Sequence, residues 1–166
     1  AVINLALSEF GLAIVNPFSN VYFDHNAGVQ KRLPVKPEDI KQVQAECYKA
    51  DDEMRWLVAL VADTGIRLAE GAGLLRSDFI TKDDILCVSI KPHPWRSLKT
   101  ASSERVIPLV GSAKWAAERI LGEHTDSQFA FPKYNDGQRT NANSASAALN
   151  KWLKGKIGEG YTMHSF

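Results

Sequence analysis

Arg67 and Glu70 stand three positions apart in the run Asp63-Thr64-Gly65-Ile66-Arg67-Leu68-Ala69-Glu70, which continues to Leu74 and Asp78. Gly65 reads as the stop of one helix, and a second begins just beyond it, so Arg67 falls in a tight turn that suits an anion held against backbone N–H groups. Once the second helix starts, Arg67 and Glu70 share a face, and the carboxylate can orient the guanidinium. The bland alternative is a helix-start salt bridge. Two later residues could add proton chemistry. Lys99 can supply a protonated donor, and the His164 imidazole can act as acid or base. Taken singly, they read as a solvated lysine and a terminal histidine.

Thr64-Gly65-x-Arg67-x-x-Glu70, with Leu74 and Asp78 at the following positions, resembles the first arginine motif of the tyrosine recombinases, the phage-integrase family. Leu98-Lys99-Thr100-Ala101-Ser102-Ser103-Glu104-Arg105-Val106-Ile107-Pro108-Leu109 resembles that family's β-hairpin, in which a lysine precedes a Thr/Ser-rich turn and the returning strand ends in Pro-Leu. Tyr161-Thr162-Met163-His164-Ser165-Phe166 resembles the start of its His-x-x-Arg motif, with Thr162 as a helix N-cap. The resemblance implies DNA phosphoryl transfer. A tyrosine attacks a DNA phosphate to form a 3′-phosphotyrosyl link, with no metal or other cofactor. Arg67 would stabilise the phosphorane-like transition state with Glu70 in support, Lys99 would protonate the leaving 5′ oxygen, and His164 would assist proton transfer. The implied partner is double-stranded DNA at recombination sites, bound by a tetramer, as for a prophage or mobile-element integrase.

The family's second arginine, a further His or Trp, and the tyrosine nucleophile all follow the His-x-x-Arg motif. Tyr134 and Tyr161 precede His164 and are not candidates for the nucleophile. The expectation is therefore a catalytic domain truncated before that tyrosine, inactive for cleavage and retaining weak, salt-sensitive DNA binding. The rivals are a non-catalytic DNA-binding or regulatory relative and a helical protein-interaction domain whose Arg67, Glu70 and Lys99 form surface ion pairs.

The elements that must position these residues follow from periodicity and caps. Apolar residues from Ile3 to Val15 suggest a helix closed by Asn16-Pro17, and Asn16-Pro17-Phe18 resembles the junction after an integrase core-binding domain. Residues 1–16 are expected to be a helical remnant of that domain, 17–36 a linker, and 37–166 the truncated catalytic domain. Pro37-Glu38-Asp39 opens a helix carrying Ile40, Val43 and Cys47. Asp52 precedes a second helix with Met54, Leu57, Val58, Val61 and Ala62 at helical spacing. A short helix through Leu68 and Leu75 is weakened by Gly71 and Gly73. Strands are expected at Ile85–Ile90, Arg96–Thr100 and Glu104–Ile107, and helices at Ser112–Leu121 and Asn143–Leu153, with Ser112 and Asn141 or Asn143 as caps. The fold class is mainly α with a small antiparallel β-sheet.

Composition adds weak bounds. The 166 residues are 45% hydrophobic and 23% charged, enough for a core, and the net charge of +1 neither demands nor excludes nucleic acid. From Lys91 onward bases outnumber acids, which permits a basic face. Cys47 and Cys87 read as reduced core thiols of a cytoplasmic protein. No apolar run approaches a membrane span, and the opening residues lack the basic start of a signal peptide. His25, His93 and His124 lack metal-ligand spacing. Trp95 beside Arg96 could stack on DNA but is more often a packed aromatic.

Overall fold

The computed structural model describes residues 2–19, 21–22 and 33–166. The chain divides into two compact units, 1–31 and 32–166. In the first, α1 (Val2–Glu9) is shorter than the Ile3–Val15 helix expected from its apolar residues and has no buried residue. Gly11 takes the left-handed conformation at φ 59°, and the Leu12 N–H returns to the Leu7 carbonyl, which ends the helix. Most of the expected 17–36 linker lies outside the described residues.

The second unit is built around one helix. After α2 (Pro37–Ala50), α3 (Glu53–Thr64) starts at Asp52, whose side chain accepts the Arg55 N–H. It ends at Gly65, with φ 63° and its N–H on the Val61 carbonyl. Six consecutive α3 residues, Trp56 to Val61, are buried, so this helix is covered all round rather than along one stripe. Each of its fully buried Leu and Val side chains contributes about 1.5–3 kcal/mol of burial free energy. α4 (Leu68–Ala72), α5 (Gly111–Gly122) and α6 (Ala142–Ile157) complete the helical part. α5 turns Ala113, Ala116, Ala117 and Ile120 into the core, and α6 turns Ala145, Leu149 and Leu153. The small residues of α5 let it lie close against α3.

The sheet is three-stranded and antiparallel, in the order β1 (Phe79–Lys82), β2 (Ile85–Ile90), β3 (Arg105–Pro108). The sequence reading had β2 and β3 but not β1. Its signal is a two-residue turn, Asp83-Asp84, both at positive φ, which sets Lys82 opposite Ile85. The strand expected at Arg96–Thr100 does not form. His93 and Arg96 close a tight turn by exchanging N–H···O bonds, and the Arg96 side chain turns inward, 5% exposed, to donate to the Lys91 carbonyl. Ala101–Ser103 is a 3₁₀ turn instead.

Ser112 does not cap α5; Val110 holds that position, and Asp63 supplies the acceptor from the end of α3. Asn141 caps α6 as expected, accepting the Ser144 N–H. No helix among the described residues is long and apolar enough to cross a membrane. The fold is the expected mainly helical one with a small antiparallel sheet.

Candidate functional site

The turn between α3 and α4 is pinned from both sides. Gly65 reverses the chain, and Ile66 and Leu68 bury their side chains at 2% and 3% exposure, which leaves Arg67 between them facing outward. Its guanidinium cannot rotate freely. Glu70, 3% exposed, accepts from Arg67 Nη1 at 2.8 Å through one oxygen and from the Arg67 backbone N–H at 3.1 Å through the other. That N–H is therefore not among the backbone groups of the turn left for an anion.

The β2–β3 connection closes the other side. Arg67 Nη1 also donates to Ser103 Oγ at 3.1 Å, and that hydroxyl lies 2.9 Å from Thr100 Oγ1. Arg105, the first residue of β3, donates from Nη2 to Glu70 at 2.9 Å and from Nη1 to the Ser103 carbonyl at 2.6 Å. Gly65, Arg67, Thr100, Ser102, Ser103 and Arg105 line an open cleft of about 360 Å³. Burial works to raise the Glu70 carboxyl, but the hydrogen bonds from Arg105 and Arg67 outweigh it and hold the group below the ordinary glutamate range. Two guanidinium groups against one carboxylate leave one net positive charge beside the cleft. Such a site can bind and neutralise an oxyanion.

The predicted site residues separate into two groups. Arg67 and Glu70 are in direct contact. Lys99 is exposed and precedes cleft-lining Thr100, but among the described residues its side chain makes no hydrogen bond or ion pair. His164 is exposed too, and its side chain contacts neither Arg67 nor Glu70 through a hydrogen bond. Its segment is fixed by the backbone. Met163 N–H donates to Asn150 on α6, and Val35 N–H donates to the Ser165 carbonyl. Thr162 Oγ1 accepts the His164 N–H, as a cap does, though the residues here form a turn and not a helix. Sequence reading missed Arg105 and Ser103 as members of the site. The available signal was β alternation, which puts Arg105 on the same face of β3 as Ile107.

Asp78, the last residue of the arginine motif, is a structural anchor. It is fully buried, accepts the Leu75 N–H at 2.9 Å, and pairs with His93 Nε2 at 2.8 Å and Lys91 at 3.1 Å. His124 is exposed, His25 lies outside the described residues, and no metal-holding group of three or more His, Cys, Asp or Glu occurs among those described. Trp95 is packed rather than presented, with Nε1 on the Gly73 carbonyl, its ring stacked on His93 and its edge against Phe129. Cys47 and Cys87 are free and buried, and burial pushes the Cys47 thiol up to about 12. Several cations of the basic half are already paired, including Lys114, Arg119, Arg139, Lys154 and Lys156. A continuous basic face is therefore weaker than the charge count suggests.

The model of the phage integrase family matches residues 35–166, which spans the α3–α4 turn, the β2–β3 connection and the His164 segment together. The chain belongs to the phage integrase family. Its members, the tyrosine recombinases, carry out site-specific recombination on DNA. No curated protein and no solved structure matches the chain. As an integrase domain it has the α+β fold of that family, with the motif arginine in the one place where α4, β3 and the hairpin connection meet. Among its tyrosines in residues 33–166, Tyr134 is 2% exposed, Tyr48 packs edge-on against Trp115, and Tyr161 lies against the core; none lines the cleft.

Proposed function

We propose that the Arg67 cleft binds one phosphodiester of double-stranded DNA at a recombination site. In the recombinase reaction a tyrosine oxygen forms a bond to phosphorus as the bond to the 5′ oxygen breaks. Arg67 stabilises the charge that develops on the non-bridging oxygens, Lys99 gives its proton to the leaving 5′ oxygen, and His164 assists proton transfer at the attacking side. Glu70 acts through Arg67 as a positioning residue. Integration of a prophage or mobile element, by a tetramer on DNA in the cytoplasm, is the biological setting this chemistry suits.

The observation that carries this reading is the immobilised guanidinium. Arg67 Nη1 is spent on Glu70 and Ser103, while Nε and Nη2 have no partner among the described residues and border a cleft lined with hydroxyls. A preorganised donor of this kind can favour the transition state because it costs no reorganisation during reaction.

A second reading concerns these 166 residues alone. None of Tyr48, Tyr134 and Tyr161 lines the cleft, and exposed Tyr22 belongs to the first unit; on this reading the chain binds DNA without cutting it. Fluorescence anisotropy on a duplex, followed across salt, tests the binding, and covalent trapping on a nicked recombination-site substrate tests the cutting. Binding should fall steeply with salt, by about 0.9 in log–log slope for each phosphate contacted. No binding at low salt, or salt-independent binding, would remove the phosphodiester reading. A phosphotyrosyl adduct would overturn the second one.

A further inference from the structure

Glu70 has more positive charge around it than it needs. A single buried carboxylate is neutralised by one cation, and Arg67 already supplies it at 2.8 Å with a second contact through its own backbone. Arg105 nevertheless reaches the same carboxylate from β3 at 2.9 Å. Neutralising Glu70 does not need the second arginine, and the excess positive charge is left at the open cleft, where an anion can meet it.

We propose that Arg105 is a second phosphate ligand of the Arg67 cleft, so that one phosphodiester is gripped by two guanidinium groups carried on different elements. The inference rests on reading the cleft as a phosphodiester site and adds a residue outside the arginine motif. Three observations carry it. Arg105 lines the cleft with Arg67, and the two side chains keep 34% and 46% of their surface exposed, so both remain accessible. A guanidinium has five N–H donors, and Arg105 Nε, like Arg67 Nε and Nη2, has no partner among the described residues. Ser103 braces both, its hydroxyl accepting from Arg67 and its carbonyl from Arg105, which fixes the two groups relative to each other before any anion arrives.

The shared chemistry is a phosphate oxyanion, and two probes separate its sources. Inorganic phosphate is titrated into the ¹⁵N-arginine-labelled chain while the Arg67 and Arg105 Nε–H signals are followed, and duplex DNA binding is measured by anisotropy. Both are repeated for Arg67→Gln, Arg105→Gln and Arg105→Lys. Phosphate should move both signals. Arg105→Gln should weaken phosphate and duplex binding about fivefold while the Arg67 signal still responds, with Arg105→Lys between it and wild type because lysine keeps the charge but loses the fork. If Arg105→Gln fails to fold, Arg105→Lys retains a cation for Glu70 and gives the same reading. A response at Arg67 alone, with Arg105 variants within about twofold of wild type, would make Arg105 a structural counter-ion and overturn the inference while leaving the proposed function standing. Silence at both arginines, with Arg67→Gln binding duplex as wild type does, would overturn both. Loss toward inorganic phosphate without loss toward duplex would also overturn both, since the site would then serve free phosphate.

Discussion

Asp63 and Ser112 join the end of α3 to the start of α5 through a single carboxylate oxygen. Asp63 Oδ2 accepts from the Ser112 backbone at 2.6 Å, from the Ser112 hydroxyl at 2.7 Å and from the Ala113 N–H at 3.1 Å, while Oδ1 takes Gln44 at 2.7 Å. The residue just before the arginine motif thus caps a helix 49 positions away, where a negative charge also suits the helix dipole. Asp63→Ala leaves the Ser112 and Ala113 N–H groups without this acceptor and the Ser112 hydroxyl with only its longer bond to the Ala59 carbonyl, and should cost about 2–3 kcal/mol in urea unfolding. A loss below about 0.5 kcal/mol would mean that water serves these donors equally well.

Glu70 makes stability depend on acid in a defined direction. Its carboxyl is held below the ordinary range in the folded state, so the unfolded chain binds a proton first as pH falls. The contribution is complete above the unfolded glutamate pKa of about 4.3 and is lost as pH drops below it through the depressed folded value. Urea midpoints measured from about pH 6 down to about pH 3 should show a steeper acid decline in wild type than in Glu70→Gln. Parallel profiles would show that the arginines do not stabilise the charged form.

Gly73 sits where the chain has no room for a side chain. A Cβ there would come within 2.7 Å of Thr140 Oγ1 and 2.8 Å of Arg96 Cδ. Arg96 is buried and Thr140 is bonded to Asn135, so neither yields without breaking a contact. Gly73→Ala should destabilise the domain by about 1–3 kcal/mol in thermal or urea unfolding, in spite of alanine's better helix propensity. A neutral or stabilised variant would show that the Arg96 loop moves aside freely.

Lys99 should separate stability from function. Its side chain has no hydrogen-bond or ion-pair partner among the described residues and is exposed. Lys99→Ala should therefore change unfolding free energy by less than about 0.5 kcal/mol. In a recombinase reaction that supplies the tyrosine nucleophile, it should suppress cleavage of an ordinary substrate and spare one with a 5′-bridging sulfur, whose leaving group needs no proton. Equal loss on both substrates would remove the general-acid role.

The sequence made the helices readable because their ends carry local signals. Pro37 with Glu38 and Asp39, Asp52 before α3, Gly65 after it and Asn141 before α6 each act on the few residues beside them. What escaped was held by distant partners. Ser112 is a good local cap, but Asp63 takes the task from across the core; Arg105 carries no helical period that points to Glu70, from which it is separated by 35 positions. The Arg96–Thr100 segment misled because β propensity does not register the tight turn that His93 and Arg96 close or an arginine turned inward. Of the candidate site, Arg67 and Glu70 were legible together, since three positions on one helical turn oblige them to meet.

The connection that carries Lys99 is tied down at both ends by acids of one motif. Before it, Asp78 grips Lys91 and His93; after it, Glu70 grips Arg105. Between the buried Arg96 and the braced Ser103 the strap is short, and Lys99 lies three residues from the first and four from the second. At about 3.3–3.6 Å per residue, its Cα can stray no more than roughly 10 Å from the Arg96 anchor. The strap therefore works as a leash with a fixed radius. Every position open to Lys99 lies within a short arc whose ends are held by the same motif that holds Arg67.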